Sequence, residues 1–312
     1  MVSRMTTLLR SFATQPSYTI MRGAARFSSL RTLVAGTRSA MHGARTQKFI
    51  QDCEQTVAES WFADLDRVDF VHRLRDAGIA FGITLPPAVV EEIRAWADQQ
   101  LCYADREPTC GFKVIDRAAA ESKLGKPILL AQYFNAAEDC PAIARLASDP
   151  VLRWIAASYL GSLPKFVGAN LWWTFPVQAL EADREKHAHL YHRDVDDFRF
   201  FKFFFYLTAV AAGEGAHVCV LASHQNPPQL RTGDRWNIRR YSDDEIAATY
   251  SPDLVTEICG IAGTGFAENT LCIHKGSTPQ HEARLLLQLQ FALFDYGAMH
   301  DRRSSQALAR LI

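Results

Sequence analysis

From about residue 165 onward the chain is a succession of short β-prone runs, and this constrains its fold more than any other feature. KFVGANLWWTF, LYHRDV, FRFFKFFFYLTAV, AHVCVLAS, VTEICGI, TLCIH and RLLLQLQFALF follow one another, punctuated by Gly, Pro, Asn and Asp. Many short strands separated by turn formers imply a sandwich or jelly roll. Upstream the pattern is helical. DFVHRLRDAG reads as a short helix stopped by Gly78, with IAFGI a strand after it. Pro86-Pro87 opens a helix that puts Val89, Val90, Ile93, Trp96 and Ala97 on one face, the stripe of a core-facing helix. Pro141 to Leu160 reads as a second amphipathic helix ending at Gly161. The expected fold is mainly β with flanking helices, a double-stranded β-helix (jelly roll). One insertion, Gln229 to Asp253, interrupts the strands, and Ser242 and Glu245 in it form a capping box for a small helix.

Composition narrows the function. Apolar residues make up 48% of the chain and charged residues 22%, enough to bury a core. Lys+Arg and Asp+Glu both number 34, so no basic excess points to nucleic acid. No apolar stretch reaches the roughly 18 residues needed to span a bilayer. The 7 cysteines include no CxxC pair and read as reduced, buried thiols of a cytosol-like compartment. The first fifty residues differ from the rest. Met1 to Gln51 contains no Asp or Glu, while Arg4, Arg10, Arg22, Arg26, Arg31, Arg38 and Arg45 recur among Ser and Thr. That is the composition of a mitochondrial transit peptide, and equally of a basic arm that packs on the domain or against anionic surfaces. The expected organisation is therefore 1–50, a basic arm or targeting segment, and 51–312, the jelly-roll domain. The location is cytoplasmic, or the mitochondrial matrix if the arm is a transit peptide.

Tyr191-His192-Arg193-Asp194 is the strongest local signal for chemistry. Side chains alternate along a strand, so His192 and Asp194 point the same way, about 6–7 Å apart along the backbone. His274 follows at the end of the TLCIH run, and Arg284 comes ten residues later in the next run. Two imidazoles and one carboxylate make the facial triad of non-haem iron(II) oxygenases, which leaves three coordination positions open. Two of these suit a bidentate 2-oxo acid and one suits O2. A buried arginine matches the distal carboxylate of that acid with two parallel hydrogen bonds.

Two stretches, YHRDVDDFRFFKFFFYLTAVAAGEGAHVCVLASHQ (191–225) and GTGFAENTLCIHKGSTPQHEARLLLQLQFA (263–292), resemble the phytanoyl-CoA dioxygenase-like group of 2-oxoglutarate oxygenases. Weaker similarity reaches back to RLRDAGIAFGITLPPAVVEEI, so that the resemblance spans roughly 70 to 297. It implies a double-stranded β-helix, Fe(II), 2-oxoglutarate and O2, and hydroxylation of a small organic or acyl substrate with release of succinate and CO2. It maps the metal ligands onto His192, Asp194 and His274, and the co-substrate arginine onto Arg284. Where the wider superfamily often has Ser two residues after that arginine, this chain has Leu286. A second partner for the co-substrate carboxylate is then sought on the neighbouring strand, at Lys202 or Tyr206. Asp194, which halogenating relatives replace by a small residue, favours hydroxylation.

Other residues have plainer expectations. An unbroken strand turns His187 and His189 away from His192 and Asp194. Ser223-His224 closes a turn near the site, Asp196-Asp197 is a solvated turn and His281 is exposed. Alternation puts only one of Trp172 and Trp173 inward. The arginines 231, 235, 239 and 240 form a solvated basic loop or a lid that grips an anion. Two rival functions stay open: a jelly-roll binding or regulatory protein without turnover, and a cupin-like dioxygenase that uses no 2-oxo acid.

Overall fold

The computed structural model describes residues 15–178, 185–225, 239–297 and 301–312. Helices α1 (Pro16–Ala24), α2 (Ser28–Gln55) and α3 (Arg67–Asp76) lead into β1 (Ile79–Thr84) and α4 (Pro87–Gln99). Next come β2 (Cys102–Ala104), β3 (Gly111–Phe112), α5 (Arg117–Leu124), β4 (Leu130–Tyr133), α6 (Ala136–Asp139), α7 (Pro141–Ser148), α8 (Pro150–Leu160) and β5 (Lys165–Thr174). The remainder is β6 (Phe200–Tyr206), β7 (His217–Val220), α9 (Asp243–Thr249), β8 (Val255–Ile258), β9 (Thr264–Glu268), β10 (His274–Gly276) and β11 (Arg284–Ala292). Eight strands form one antiparallel sheet in the order β1-β9-β6-β11-β5-β4-β2-β3. A smaller sheet, β10-β7-β8, packs across its inner face. The fold is the expected jelly roll with flanking helices.

Period-2 alternation in the two central strands decides what goes where. On β6, Phe201, Phe203 and Phe205 face the helices and join the main core. Phe204 and Tyr206 face the small sheet, and Lys202 points into a cavity. On β11, Leu285, Leu287, Leu289 and Phe291 join the helix-side core, while Arg284, Leu286, Gln288 and Gln290 line the same cavity. Each fully buried Phe or Leu contributes about 1.5–3 kcal/mol, so the helix-side face carries most of the apolar stabilisation. On β5, Trp172 lines the cavity and Trp173 turns outward, its Nε1 donating to the Tyr133 hydroxyl at 3.0 Å.

Three local expectations change. Pro141 to Leu160 is two helices, because the Asp149 carboxylate accepts from the backbone of Val151 and Leu152 (2.9 and 3.1 Å) and starts a new helix at Pro150. TLCIH is mostly a turn: the Asn269 side chain accepts from Leu271 N at 3.2 Å, and His274 begins β10 instead of ending a strand. Of the two fates expected for the N-terminal arm, the described part shows packing on the domain, and the boundary near residue 50 falls inside a helix. Helix α2 runs across the compositional break at Asp52 and packs on α8. Ala25 and Ala35 are buried, and Trp154 Nε1 donates to Glu54 at 3.0 Å. The capping box at Ser242 and Glu245 is present and starts α9. Arg231 and Arg235 lie outside the described residues.

Candidate metal centre and its cavity

The two histidines meet because their backbones pair. His192 N donates to His274 O, and His274 N to His192 O, each at 2.9 Å, as an antiparallel bridge on the edge of the small sheet. Residues paired in this way project to the same side, and the two rings stand 4.3 Å apart between centroids. Asp194 is held by its own backbone N donating to Thr270 O at 2.8 Å. Its carboxylate oxygens each lie 3.6 Å from one imidazole Nε2.

The tautomers follow from the partners. His192 Nδ1 faces Leu190 O and His274 Nδ1 faces Cys272 O, both at 2.9 Å. A carbonyl only accepts, so each Nδ1 carries a hydrogen and each Nε2 is turned toward Asp194. Burial, reinforced by His274, pushes the His192 pKa well below the usual range and keeps it neutral. Burial alone would raise the Asp194 carboxyl, but the Lys202 ammonium, which also donates a hydrogen bond to it, outweighs burial and holds the group ionised. One ligand atom from each of the three residues falls within 4.8 Å of the others, and no second group of this kind occurs among the described residues. Two imidazole nitrogens and one carboxylate oxygen suit a first-row divalent metal.

The triad opens into a cavity of about 260 Å³. Arg284 reaches it from the start of β11 and is buried. Its Nη1 donates to Gly215 O, and its Nη2 to Thr174 Oγ1 at 3.2 Å. Nε is buried without a hydrogen-bond partner among the described residues. Thr174 is the residue opposite Arg284 in the β5–β11 register, a pairing the sequence does not announce. Gly276 also lines the cavity, and a Cβ there would come within 3.4 Å of the guanidinium.

His192, Asp194, His274, Arg284 and Lys202 thus share one cavity, while Tyr206 lies behind it. The Tyr206 hydroxyl donates to Ile258 O at 2.8 Å and accepts from His217 N at 2.9 Å. Lys202 Nζ donates to Asp194 Oδ2 at 2.6 Å and lies 3.1 Å from Asp196. It therefore steadies the triad carboxylate and does not stand beside Arg284. The Asp196-Asp197 pair is no solvated turn: Asp196 accepts from the Tyr18 hydroxyl of α1 at 3.1 Å, and Asp197 is buried. His187 and His189 also line the cavity, because Ala188 at φ 64° breaks the strand that would have turned them away. His187 Nε2 donates to Asp105 at 3.1 Å, and His189 Nδ1 lies 2.7 Å from the Thr278 hydroxyl.

Sequence reasoning missed a buried pair behind the triad. His217 Nε2 donates to Glu268 Oε2 at 2.6 Å, and the His217 ring stacks on His274 at 5.4 Å. The other Glu268 oxygen lies 3.9 Å from His274 Nδ1. Of the turn elements, Ser223 Oγ donates to Val220 O and accepts from Ile273 N, both at 2.7 Å, fixing the chain just before His274. His281 is exposed and bonds Glu214.

No family model and no curated protein matches the sequence. Solved structures do. HygX from Streptomyces hygroscopicus, with nickel, 2-oxoglutarate and hygromycin B bound, superposes over 77% of this chain and 93% of its own, with a TM-score of 0.52 and 12% identity. Its complex with nickel and 2-oxoglutarate gives 73% and 88%, a TM-score of 0.50 and 16% identity. EvdO2 from Micromonospora carbonacea var. aurantiaca, complexed with 2-oxoglutarate, covers 72% of this chain and 89% of its own, with 0.48 and 17%. At these identities the likeness speaks to the fold. The chain shares the fold of HygX. No helix among the described residues is long and apolar enough to cross a membrane.

Proposed function

We propose that the protein is an Fe(II)- and 2-oxoglutarate-dependent oxygenase that hydroxylates a small organic or acyl substrate, with release of succinate and CO2. One observation carries this: two imidazoles, each with its Nδ1–H tied to a backbone carbonyl, aim Nε2 at the carboxylate of Asp194. The donor set and the tautomers fit a metal ion, which His192, Asp194 and His274 would hold. Arg284 would bind the distal carboxylate of 2-oxoglutarate through guanidinium hydrogens, including the buried Nε–H. HygX, which shares the fold, binds nickel and 2-oxoglutarate. When bound, iron and 2-oxoglutarate together supply O2 activation and the oxidising power.

The chain's own part is positioning. Lys202 offsets the negative charge of Asp194 and Asp196 and fixes the Asp194 rotamer. Thr174 and the Gly215 carbonyl orient Arg284. Leu286 and Trp172 on the inner face give the polar cavity an apolar wall that limits water. Anaerobic addition of Fe(II) and 2-oxoglutarate is expected to give a weak visible charge-transfer band in wild type and none in His192→Ala or Arg284→Ala. Iron binding without 2-oxoglutarate binding in wild type would favour a dioxygenase that uses no 2-oxo acid. Binding of neither would make the jelly roll a binding module.

A further inference from the structure

The cavity holds more positive charge than this chemistry uses. Arg22, Arg106, Lys186, Lys202, Arg240 and Arg284 line it, against the carboxylates of Asp194 and Asp196. Lys202 contacts both carboxylates, and Lys186 faces Glu107 at 3.7 Å. Arg284 has the role proposed above, and a divalent ion and a doubly negative co-substrate cancel each other. Arg22, Arg106 and Arg240 remain. Each has a buried guanidinium nitrogen (Nε, Nε and Nη1 respectively) without a hydrogen-bond partner among the described residues. Buried, unmatched N–H groups on cations are costly, and native proteins keep them where a ligand completes them.

The three side chains come from separate segments, each anchored. Arg22 sits on α1, the helix that Tyr18 ties to Asp196. Arg106 occupies a turn after β2 in which Asp105 and Arg106 take φ of 54° and 64°. Two consecutive left-handed non-glycine residues are unfavourable unless the surroundings enforce them. Here Asp105 is gripped by His187 at 3.1 Å and by Lys126. Arg240 donates Nη2 to Glu185 O at 3.1 Å, which leaves Nη1 unmatched. Burial draws the Arg106 guanidinium down to about 10 with Asp194 opposing, so it remains charged at neutral pH.

We infer that Arg22, Arg106 and Arg240 form a site for an oxyanion of the primary substrate, a phosphate, sulfate or carboxylate group held beside the candidate metal centre. Guanidinium forks match all three groups in charge and geometry. Calling the ligand a substrate rests on the oxygenase reading; the presence of an anion site does not. On this assignment α1, in the arginine-rich arm, is part of the substrate site.

Metal-free full-length protein is titrated calorimetrically with inorganic phosphate, sulfate and acetate. The same preparations are then given Fe(II) and 2-oxoglutarate without oxygen and followed by the visible band. Wild type is expected to bind at least one of the anions, and the preferred one identifies the group. Arg22→Gln, Arg106→Gln and Arg240→Gln are each expected to weaken that binding about tenfold or more, with the band unchanged. Arg22→Lys keeps the charge and is expected to retain most of the binding even if Arg22→Gln melts early. Absence of anion binding in wild type, or equal binding by wild type and all three glutamine variants, overturns the site. Anion binding in a wild-type protein that never develops the band overturns the assignment to an oxygenase substrate.

Discussion

The two faces of the large sheet are built from the same strands and do opposite things. The helix-side face of β6 and β11 presents Phe201, Phe203, Phe205, Leu285, Leu287 and Leu289, all fully buried. The inner face, one residue out of step, presents Lys202, Arg284, Gln288 and Gln290 to a polar cavity. One face offers apolar area and dense packing. The other holds charges whose burial costs folding free energy unless each is matched. Stability and chemistry are thereby separated by the pleat itself, which allows a jelly roll to keep unmatched cations in its interior without losing its core.

The separation predicts that mutations on the two faces fail differently. The largest effect is expected on the outer face: Phe203→Ala should lower stability by about 3–5 kcal/mol, read by chemical denaturation. At temperatures where the variant remains folded, its Fe(II) affinity should match wild type. A Phe203→Ala protein that loses metal affinity in proportion to stability would mean the faces are coupled. A smaller effect of the opposite kind is expected behind the triad. Glu268 bonds His217 and stands 3.9 Å from the His274 Nδ1. Glu268→Gln removes a negative charge near His274, whose Nδ1–H stays on Cys272 O, and should weaken metal binding by up to about tenfold, less than loss of a direct partner of a ligating histidine. Competition with a chelator measures this. Unchanged affinity would reduce the pair to core packing.

What the sequence revealed follows the same division. Alternation is a local, period-2 property, so the common side of His192 and Asp194 and the inward turn of only one of Trp172 and Trp173 could be read directly. Features set by pairing between distant segments were not legible. His217 and Glu268 are 51 residues apart and carry no spacing signal. Thr174 meets Arg284 only through sheet register. His187 and His189 were assigned to the wrong side because alternation assumes an unbroken strand, and a left-handed Ala188 interrupts it. The same limit hid Arg106, whose direction is set by a turn that no propensity favours. In the first fifty residues composition left two fates open, a targeting segment or an arm that packs on the domain, because the buried side of α1 and α2 is too sparse to stand out as a stripe.

Two carboxylates three residues apart bring the comparison to single atoms. Asp194, toward the cavity, is held well below the usual range because the Lys202 ammonium outweighs burial. Asp197, toward the helices, is raised to about 7 by burial, although backbone N–H groups of Phe198 and Phe294 donate to it at 2.6 and 2.8 Å. A carboxyl whose pKa is raised in the folded state binds a proton that the unfolded chain releases. Its contribution to stability is fully present below about pH 4, the unfolded value, and is lost as pH rises through about 7. The contribution of this group should therefore fall across that window, by at most about 1.4 kcal/mol for each pH unit. Asp197→Asn cannot ionise, so the difference in stability between the two chains should change steadily between pH 4 and 7 and level off above. Urea denaturation at a series of pH values measures it, with metal affinity at pH 7 as the control on the inner face. A difference that stays constant across the window would mean that Asp197 is ionised in the folded protein, and the helix-side face would then tolerate a charge it is expected to exclude.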